Sequence, residues 1–228
     1  MLDFPIVDAH VHLVDLARLG YSWMASVPAL NRDWTPDDLT ARAKPYEIGG
    51  YVFVEVDVDA PQYLDEAMWA DGLARSDPRL KAVVAALPLE LGPAAVEPEL
   101  ERLATLGTVR GVRRLIQDRP DPEFMLRPAF VAAVKLLPAY GLTFDLCIKH
   151  PQFANTIELV RRCPEVAFVL DHLGKPGIAA GLIDPWRGHT QFHRQSMSGD
   201  TEGIKVFLAN DFARVNRSHL VRRHVATS

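Results

Sequence analysis

The sequence predicts an α/β fold, a TIM-like (β/α)8 barrel, and three observations lead to this prediction. Short apolar strands alternate with amphipathic helices along most of the 228-residue chain. Polar side chains follow several of these strands, and barrels of this kind build their active sites at the carboxyl ends of their strands. The first strand ends in two histidines rather than in the glycine-rich phosphate loop that opens most doubly wound sheets. A closed barrel is therefore favoured over an open sheet.

The first predicted strand is Ile6-Val7-Asp8-Ala9-His10-Val11-His12. Successive side chains on a strand point to opposite faces, so Asp8, His10 and His12 are expected on one face. Two imidazoles on one rigid wall suit a divalent metal or a polarised water molecule. The alternative is a pair of surface or hydrogen-bonded histidines.

A long loop rich in aromatic residues follows this strand and contains Tyr21, Trp23, Met24 and Trp34. Loops of this length often form lids or substrate walls, and a small apolar cluster against the barrel is the alternative. Thr35 is suited to cap the helix that comes next, with Pro36 at its first position.

The remaining strands and helices alternate regularly up to about residue 170. Strands are expected at 51–56, 81–87, 109–115, 142–148 and 166–170, and helices at 63–75, 94–106, 128–140 and 153–162. The strands are mostly apolar and rich in β-branched residues, as in a parallel sheet covered on both faces. We expect one domain, with barrel strands one to six in residues 1–186 and an atypical C-terminal segment in residues 187–228. A further strand that ends in an acid is expected at 203–211.

Composition excludes several classes of protein. The net charge is −4 and the pI is near 6.1, which is unlike the basic footprint of a nucleic-acid binder. Only two cysteines are present, Cys147 and Cys163, which favours a reducing compartment. The chain has no signal-like start and no apolar run of membrane-spanning length. We therefore expect a cytoplasmic protein with a small-molecule substrate and no membrane or nucleic-acid partner; assembly into a homo-oligomer is left open.

Polar residues mark the expected mouth of the barrel. They follow the second, fourth, fifth and sixth strands as Glu55 and Asp57, Arg113 and Arg114, Lys149 and His150, and Asp171 and His172. A single polar residue at such a position carries little information. Histidines after strands one, five and six together favour a functional site over solvated surface.

Three separated motifs stand out, namely Ile6 to His12, the run Arg110-Gly111-Val112-Arg113-Arg114-Leu115-Ile116-Gln117-Asp118, and the run Val169-Leu170-Asp171-His172-Leu173-Gly174-Lys175-Pro176. Together they resemble motifs of the amidohydrolase-related family, and in particular of its sugar-lactone hydrolases of the fuconolactonase and rhamnonolactonase type. The resemblance covers roughly residues 5–186. It implies a distorted TIM barrel of the metal-dependent hydrolase type that opens a lactone ring. Some members bind a divalent metal and others do not; zinc is the metal expected here if one is bound.

The resemblance also implies roles for individual residues. His10 and His12 match the pair that binds metal or positions water, and His172 and His150 match catalytic histidines after strands six and five. Arg113 matches an arginine suited to hold a substrate oxyanion or carboxylate, and we expect Glu55 beside it in the substrate site. The alternative for Arg113 is an ion pair with Glu55 or with Asp57 at the rim of the barrel.

The chain departs from the family after Asp184-Pro185-Trp186. Family members usually end their eighth strand with a motif like Ser-Asp-Trp-Pro, whose aspartate binds the metal or takes a proton from the attacking water, and this sequence has none. Asp211 is the candidate substitute. The rival interpretation is an altered C-terminal quarter that leaves the barrel incomplete at strands seven and eight.

The function predicted from the sequence is therefore hydrolysis of a sugar lactone by water. A metal-dependent decarboxylase with the same barrel is a second enzyme reading. A catalytically inactive, incomplete barrel is the alternative that is not an enzyme.

Overall fold

The structure is a computed structural model that describes residues 4–183, 186 and 187, together with the backbone of residues 205–208. The chain divides into two compact units. The first takes in the described residues of Met1–Pro88 and Pro98–Arg113. The second takes in those of Leu89–Glu97 and Arg114–Ser228.

The first unit is a parallel sheet with helices. Its strands are β1 (Ile6–Val11), β2 (Ile48–Val54), β3 (Leu80–Ala86) and most of β4 (Val109–Leu115), and neighbouring strands pair in parallel in that order. Its helical segments are a 3₁₀ turn at Ser22–Ser26, α1 (Pro36–Ala43), α2 (Tyr63–Leu73) and the larger part of α3 (Pro93–Thr105). The expected cap of α1 is confirmed, because Thr35 and Asp38 form a reciprocal capping box.

The second strand shows why this unit forms a parallel sheet. Tyr51, Val52, Phe53 and Val54 are all buried, so both faces of β2 are covered. β2 begins three residues earlier than the sequence predicts, because Gly49 and Gly50 belong to the strand. A Cβ at Gly49 would lie 2.7 Å from the Cβ of Pro5, so glycine permits a close approach there.

The second unit continues the same alternation. Its strands β5 (Thr143–Cys147), β6 (Ala167–Leu170) and β7 (Lys205–Leu208) pair in parallel, and its helices include α4 (Pro128–Val134) and α5 (Phe153–Arg162). Phe130, Phe144 and Phe168 form a buried row with ring centroids 6.0 Å apart at each step. This row packs α4 onto β5 and β6.

Most expected elements are present, and one expected helix is shorter than predicted. The helix expected at 128–140 stops at Val134 and is followed by a 3₁₀ turn at Leu137–Tyr140, since Pro138 lacks the N–H that an α-helix needs. The strand expected within 203–211 is β7, and seven strands lie in the described part of the chain. Asp211 lies outside the described residues, and the domain boundary at residue 186 stays a prediction.

Both cysteines are reduced and buried. Within the described residues, no helix has the length and apolar character that crossing a bilayer requires.

Candidate functional site

The carboxyl end of β2 holds one of the two histidines of the first motif. The ring of His12 approaches the carbonyl oxygen of Val54, with 2.8 Å between Nδ1 and that oxygen. A carbonyl oxygen only accepts hydrogen bonds, so the Nδ1–H of His12 donates. The neutral form of His12 therefore carries its lone pair on Nε2. His12 is solvent-exposed, whereas His10 is half-buried.

Arg113 and Glu55 form a buried ion pair in the same unit. The side chains are 4% and 2% exposed, and Arg113 Nε lies 2.5 Å from Glu55 Oε1. Arg113 Nη2 also donates to the carbonyl oxygen of Glu55 at 2.6 Å. The second carboxylate oxygen of Glu55 accepts from the backbone N–H of Asp57 at 2.7 Å. A buried pair keeps its charges only when its remaining polar atoms are hydrogen-bonded in this way.

The third nitrogen of Arg113 points at the first histidine. Arg113 Nη1 lies 3.3 Å from His10 Nε2, and a guanidinium can only donate. His10 therefore accepts at Nε2 and, when neutral, carries its proton on Nδ1. The rings of His10 and His12 are 4.9 Å apart and nearly perpendicular. The structure thus brings together four expected site residues, namely His10, His12, Glu55 and Arg113. The ion pair with Glu55 is the alternative that was expected for Arg113.

The sequence interpretation missed a buried acid that lies close to this group. Glu66 of α2 is 1% exposed, and its Oε1 accepts from the hydroxyl of Tyr21 at 3.0 Å and from the backbone N–H of Val56 at 3.2 Å. Trp23 Nε1 donates to the carbonyl oxygen of Val56 at 2.9 Å. Two residues of the aromatic loop therefore help to fix the peptide that follows Glu55.

Burial sets the protonation of Glu66. Desolvation, followed by repulsion from the Glu55 carboxylate, raises the pKa of Glu66 to about 8, although the hydrogen bonds from Tyr21 and Val56 lower it. Burial, together with Glu66, raises the pKa of Tyr21 well above its usual range. A signal was present in the sequence, because Glu66 lies on the same helical face as the buried Ala70, four residues further along α2.

The second unit holds the other two expected histidines. His150 is half-buried and begins a 3₁₀ turn directly after Lys149. Gln152 fixes that turn, since its Nε2 donates to the carbonyl oxygen of Ile116 at 2.8 Å and its Oε1 accepts from the N–H of Lys149 at 2.9 Å. His172 is exposed and follows the fully buried Asp171 at the end of β6.

The backbone after β6 is strained. His172, Leu173, Gly174 and Lys175 have φ angles of +49°, +54°, +70° and +49°. For residues other than glycine this left-handed conformation costs about 1–2 kcal/mol each. Such a run persists only when its surroundings determine it, and strain of this kind clusters at functional sites.

Arg113 and Arg114 both lie within β4 rather than after it, and Arg114 has a different partner from Arg113. Its Nη2 is 2.5 Å from Glu90 Oε1, and its Nε is 3.0 Å from Glu90 Oε2. The pair belongs to the second unit. Successive side chains on a strand point to opposite faces, so Arg113 and Arg114 form separate ion pairs.

The donor set fits a metal only in part. His12 fits, because a histidine that donates through one ring nitrogen to a carbonyl can bind metal through the other. His10 does not fit, because its Nε2 faces a guanidinium that always carries a positive charge. Among the described residues, no three His, Cys, Asp or Glu side chains are grouped so that they could hold a metal ion.

Comparison with known proteins identifies the class and then the family. Solved structures that match this chain include an amidohydrolase from Burkholderia multivorans with bound zinc, at 27% identity and a TM-score of 0.63 over 82% of this chain and 64% of that one. The fold class is therefore that of the amidohydrolases, a TIM-like α/β barrel. The amidohydrolase family model matches residues 7–204. The chain belongs to the amidohydrolase family.

Two curated relatives carry names of enzymes. One is an L-rhamnono-gamma-lactonase from Scheffersomyces stipitis, 27% identical over 77% of this chain and 62% of its own length. Another is an L-fucono-1,5-lactonase from Burkholderia ambifaria, 28% identical over 79% of this chain and 60% of its own length. The chain thus spans about three fifths of the length of these relatives.

The fold is also shared with enzymes of another reaction. A 5-carboxyvanillate decarboxylase from Sphingomonas paucimobilis matches 93% of this chain with a TM-score of 0.51 at 13% identity. This likeness concerns the fold alone. Membership of the family places the chain in the amidohydrolase superfamily.

Proposed function

We propose that this protein hydrolyses the ester bond of a sugar lactone. The observation that carries the proposal is the fixed guanidinium of Arg113, held by Glu55 on one side and directed at His10 Nε2 on the other. The names of the two lactonase relatives support the choice of substrate class.

Water attack on an ester needs a base, and His12 is the residue best placed to be one. Its Nδ1–H is held by Val54, so its orientation is set and its Nε2 is the atom that accepts a proton. As the imidazolium forms, the Val54 carbonyl stabilises the charge on Nδ1–H. This is the arrangement of an oriented base that enzymes with a nucleophile and a histidine also use.

The tetrahedral intermediate carries a negative charge on the former carbonyl oxygen. Arg113 supplies a permanent positive charge whose position does not change during the reaction, which is the requirement for preorganised electrostatic stabilisation. Glu55 has both carboxylate oxygens engaged, so in this proposal it positions Arg113 and does not touch the substrate. His10 lies between the guanidinium and the exposed His12.

The bonds balance without a further reactant. The water oxygen bonds to the lactone carbon, and His12 takes one water proton. The ring C–O bond then breaks, and the ring oxygen receives the proton held by His12, which gives a hydroxy acid and returns His12 to its neutral form. At neutral pH this acid releases one proton into the medium.

Other predicted roles remain proposals. His150 and His172 stay proposed catalytic residues, and Asp211 is the candidate acid in the part of the chain outside the described residues. No step is assigned to a metal, because the His10 position faces a cation.

The test is a panel of sugar γ- and δ-lactones, followed by acid release with a pH indicator. His12→Gln should lower kcat by about 10²–10⁴, the typical contribution of a general base. Arg113→Lys should also lower the rate, because an ammonium cannot reproduce three directed guanidinium contacts. Arg79→Lys is the matched control, because Arg79 pairs with Asp77 at 2.7 Å but contacts none of the expected site residues that the structure describes.

Three results would count against the proposal. One is that no lactone reacts above the buffer rate. Another is that His12→Gln keeps the wild-type rate. A third is release of carbon dioxide from aromatic acids without lactone opening, which would favour the decarboxylase reading.

A further inference from the structure

The left-handed turn at residues 172–175 is held on two sides within the second unit. A Cβ at Gly174 would lie 2.3 Å from Cε2 of Phe153, so the turn packs directly on the ring of that residue. Trp186 Nε1 donates to the carbonyl oxygen of Leu173 at 2.7 Å. These two contacts fix the strained backbone, and they therefore also fix the position of the residue at the end of the turn.

The residue at the end of the turn is Lys175, which is half-buried. Its ammonium donates to Gln117 Oε1 and lies 3.7 Å from Cys147 Sγ. Gln117 follows β4, Cys147 ends β5 and Lys175 follows β6. The turn thus brings an ammonium to the carboxyl ends of three strands, which is where barrels of this class build their sites.

The partners of Lys175 leave its charge uncompensated within the described part of the chain. Both are uncharged in their ordinary states, and no ion pair of Lys175 with a carboxylate occurs among the described residues. Lys149 provides a contrast, because its ammonium lies 2.5 Å from Asp118 Oδ1 on the surface. A partly buried cation with uncharged partners is suited to an incoming anion, since hydrogen bonds between ions are stronger than those between neutral groups.

We propose that Lys175 binds the carboxylate of the sugar acid that lactone opening produces. This inference rests on the proposed function for the identity of the ligand. An ammonium has three N–H donors. Gln117 and Cys147 engage two of them, and the third is directed to the ligand oxygen.

The test measures binding and does not depend on turnover. L-fuconate and L-rhamnonate are titrated into the wild-type chain by calorimetry, with the uncharged alditols L-fucitol and L-rhamnitol as matched ligands. The wild type should bind at least one of the acids about tenfold more tightly than its alditol, because only the acid forms a charge-assisted hydrogen bond. Lys175→Met should remove this preference, and Lys149→Met should retain it.

The outcomes separate the two proposals. If the wild type opens no lactone but Lys175→Met loses the preference for the acid, the proposed function fails and the role of Lys175 stands. If the wild type opens lactones and Lys175→Met changes neither the Kd of the acid nor the KM of the lactone, the role of Lys175 is overturned. Equal binding of acid and alditol by the wild type overturns it as well.

A second variant covers a failure to fold. If the circular dichroism spectrum of Lys175→Met departs from that of the wild type, the binding of acid and alditol is compared with Lys175→Gln instead. This variant keeps hydrogen-bond donors and removes the charge. Lys175→Arg keeps a charge and should retain part of the preference for the acid. A purely structural role for Lys175 would leave that preference unchanged in every folded variant.

Discussion

The histidines at the end of β1 and the histidine that follows β6 have surroundings of different kinds. Around His10 and His12 the structure relies on charge and hydrogen bonding, with a buried ion pair between Glu55 and Arg113. Around His172 it relies on packing, which holds a left-handed backbone against the ring of Phe153. The first arrangement should therefore respond to changes of charge and pH, and the second to changes of shape.

The largest effect is expected from Arg113→Met, which leaves the Glu55 carboxylate buried without its cation. We expect the free energy of unfolding to fall by about 3–5 kcal/mol, measured by urea denaturation. The double variant Glu55→Leu with Arg113→Met should be much less destabilised, because a buried pair can be replaced by apolar residues at little cost. If the double variant loses as much as Arg113→Met, packing rather than charge explains the loss.

Arg79→Met is the control for this prediction. The pair of Arg79 with Asp77 has side chains that are 28% and 11% exposed, so water remains close to the charges. We expect a loss of about 1 kcal/mol or less, as for a surface pair.

A comparable effect, up to about 5 kcal/mol over the full range of pH, is expected from the titration of Glu66. Its pKa is raised from 4.5 to about 8 in the folded protein, so between these values the folded state binds more protons than the unfolded state. The stabilisation of the folded state is complete below pH 4.5 and is lost as the pH rises towards 8. Glu66→Gln, which cannot ionise, should flatten this part of the profile of unfolding free energy against pH.

Asp38 provides a control of opposite sign. Hydrogen bonds from Arg32 and Thr35 lower the pKa of Asp38 to about 2, so its stabilisation is present above pH 3.8 and is lost as the pH falls. Asp38→Asn should therefore change only the acid side of the profile. A wild-type profile that is flat between pH 5 and 8 would contradict the prediction for Glu66.

The sequence predicted the charged group better than the strained one, and the reasons are physical. His10, His12, Glu55 and Arg113 could be found because strand ends have a simple pattern and parallel strands share an edge. Glu66 was missed because its burial depends on Tyr21, which lies 45 residues away in an irregular loop. The turn after β6 was missed because only Gly174 favours a positive φ, while the other three residues adopt it through tertiary packing.

The smallest effect is expected in the turn after β6, where two alanine variants distinguish a steric clash from backbone strain. Gly174→Ala and Gly141→Ala both place a Cβ on a left-handed backbone, with φ of +70° and +67°. At Gly141 nothing lies within 4 Å of the added atom, so that variant should lose only the strain, about 1 kcal/mol. At Gly174 the added atom also meets Phe153, so we expect a further loss of about 2 kcal/mol from overpacking. Phe153→Leu should recover part of that further loss in the Gly174→Ala background, but not in the Gly141→Ala background. Equal losses for the two alanine variants would mean that the turn can move away from Phe153 and that packing does not hold it.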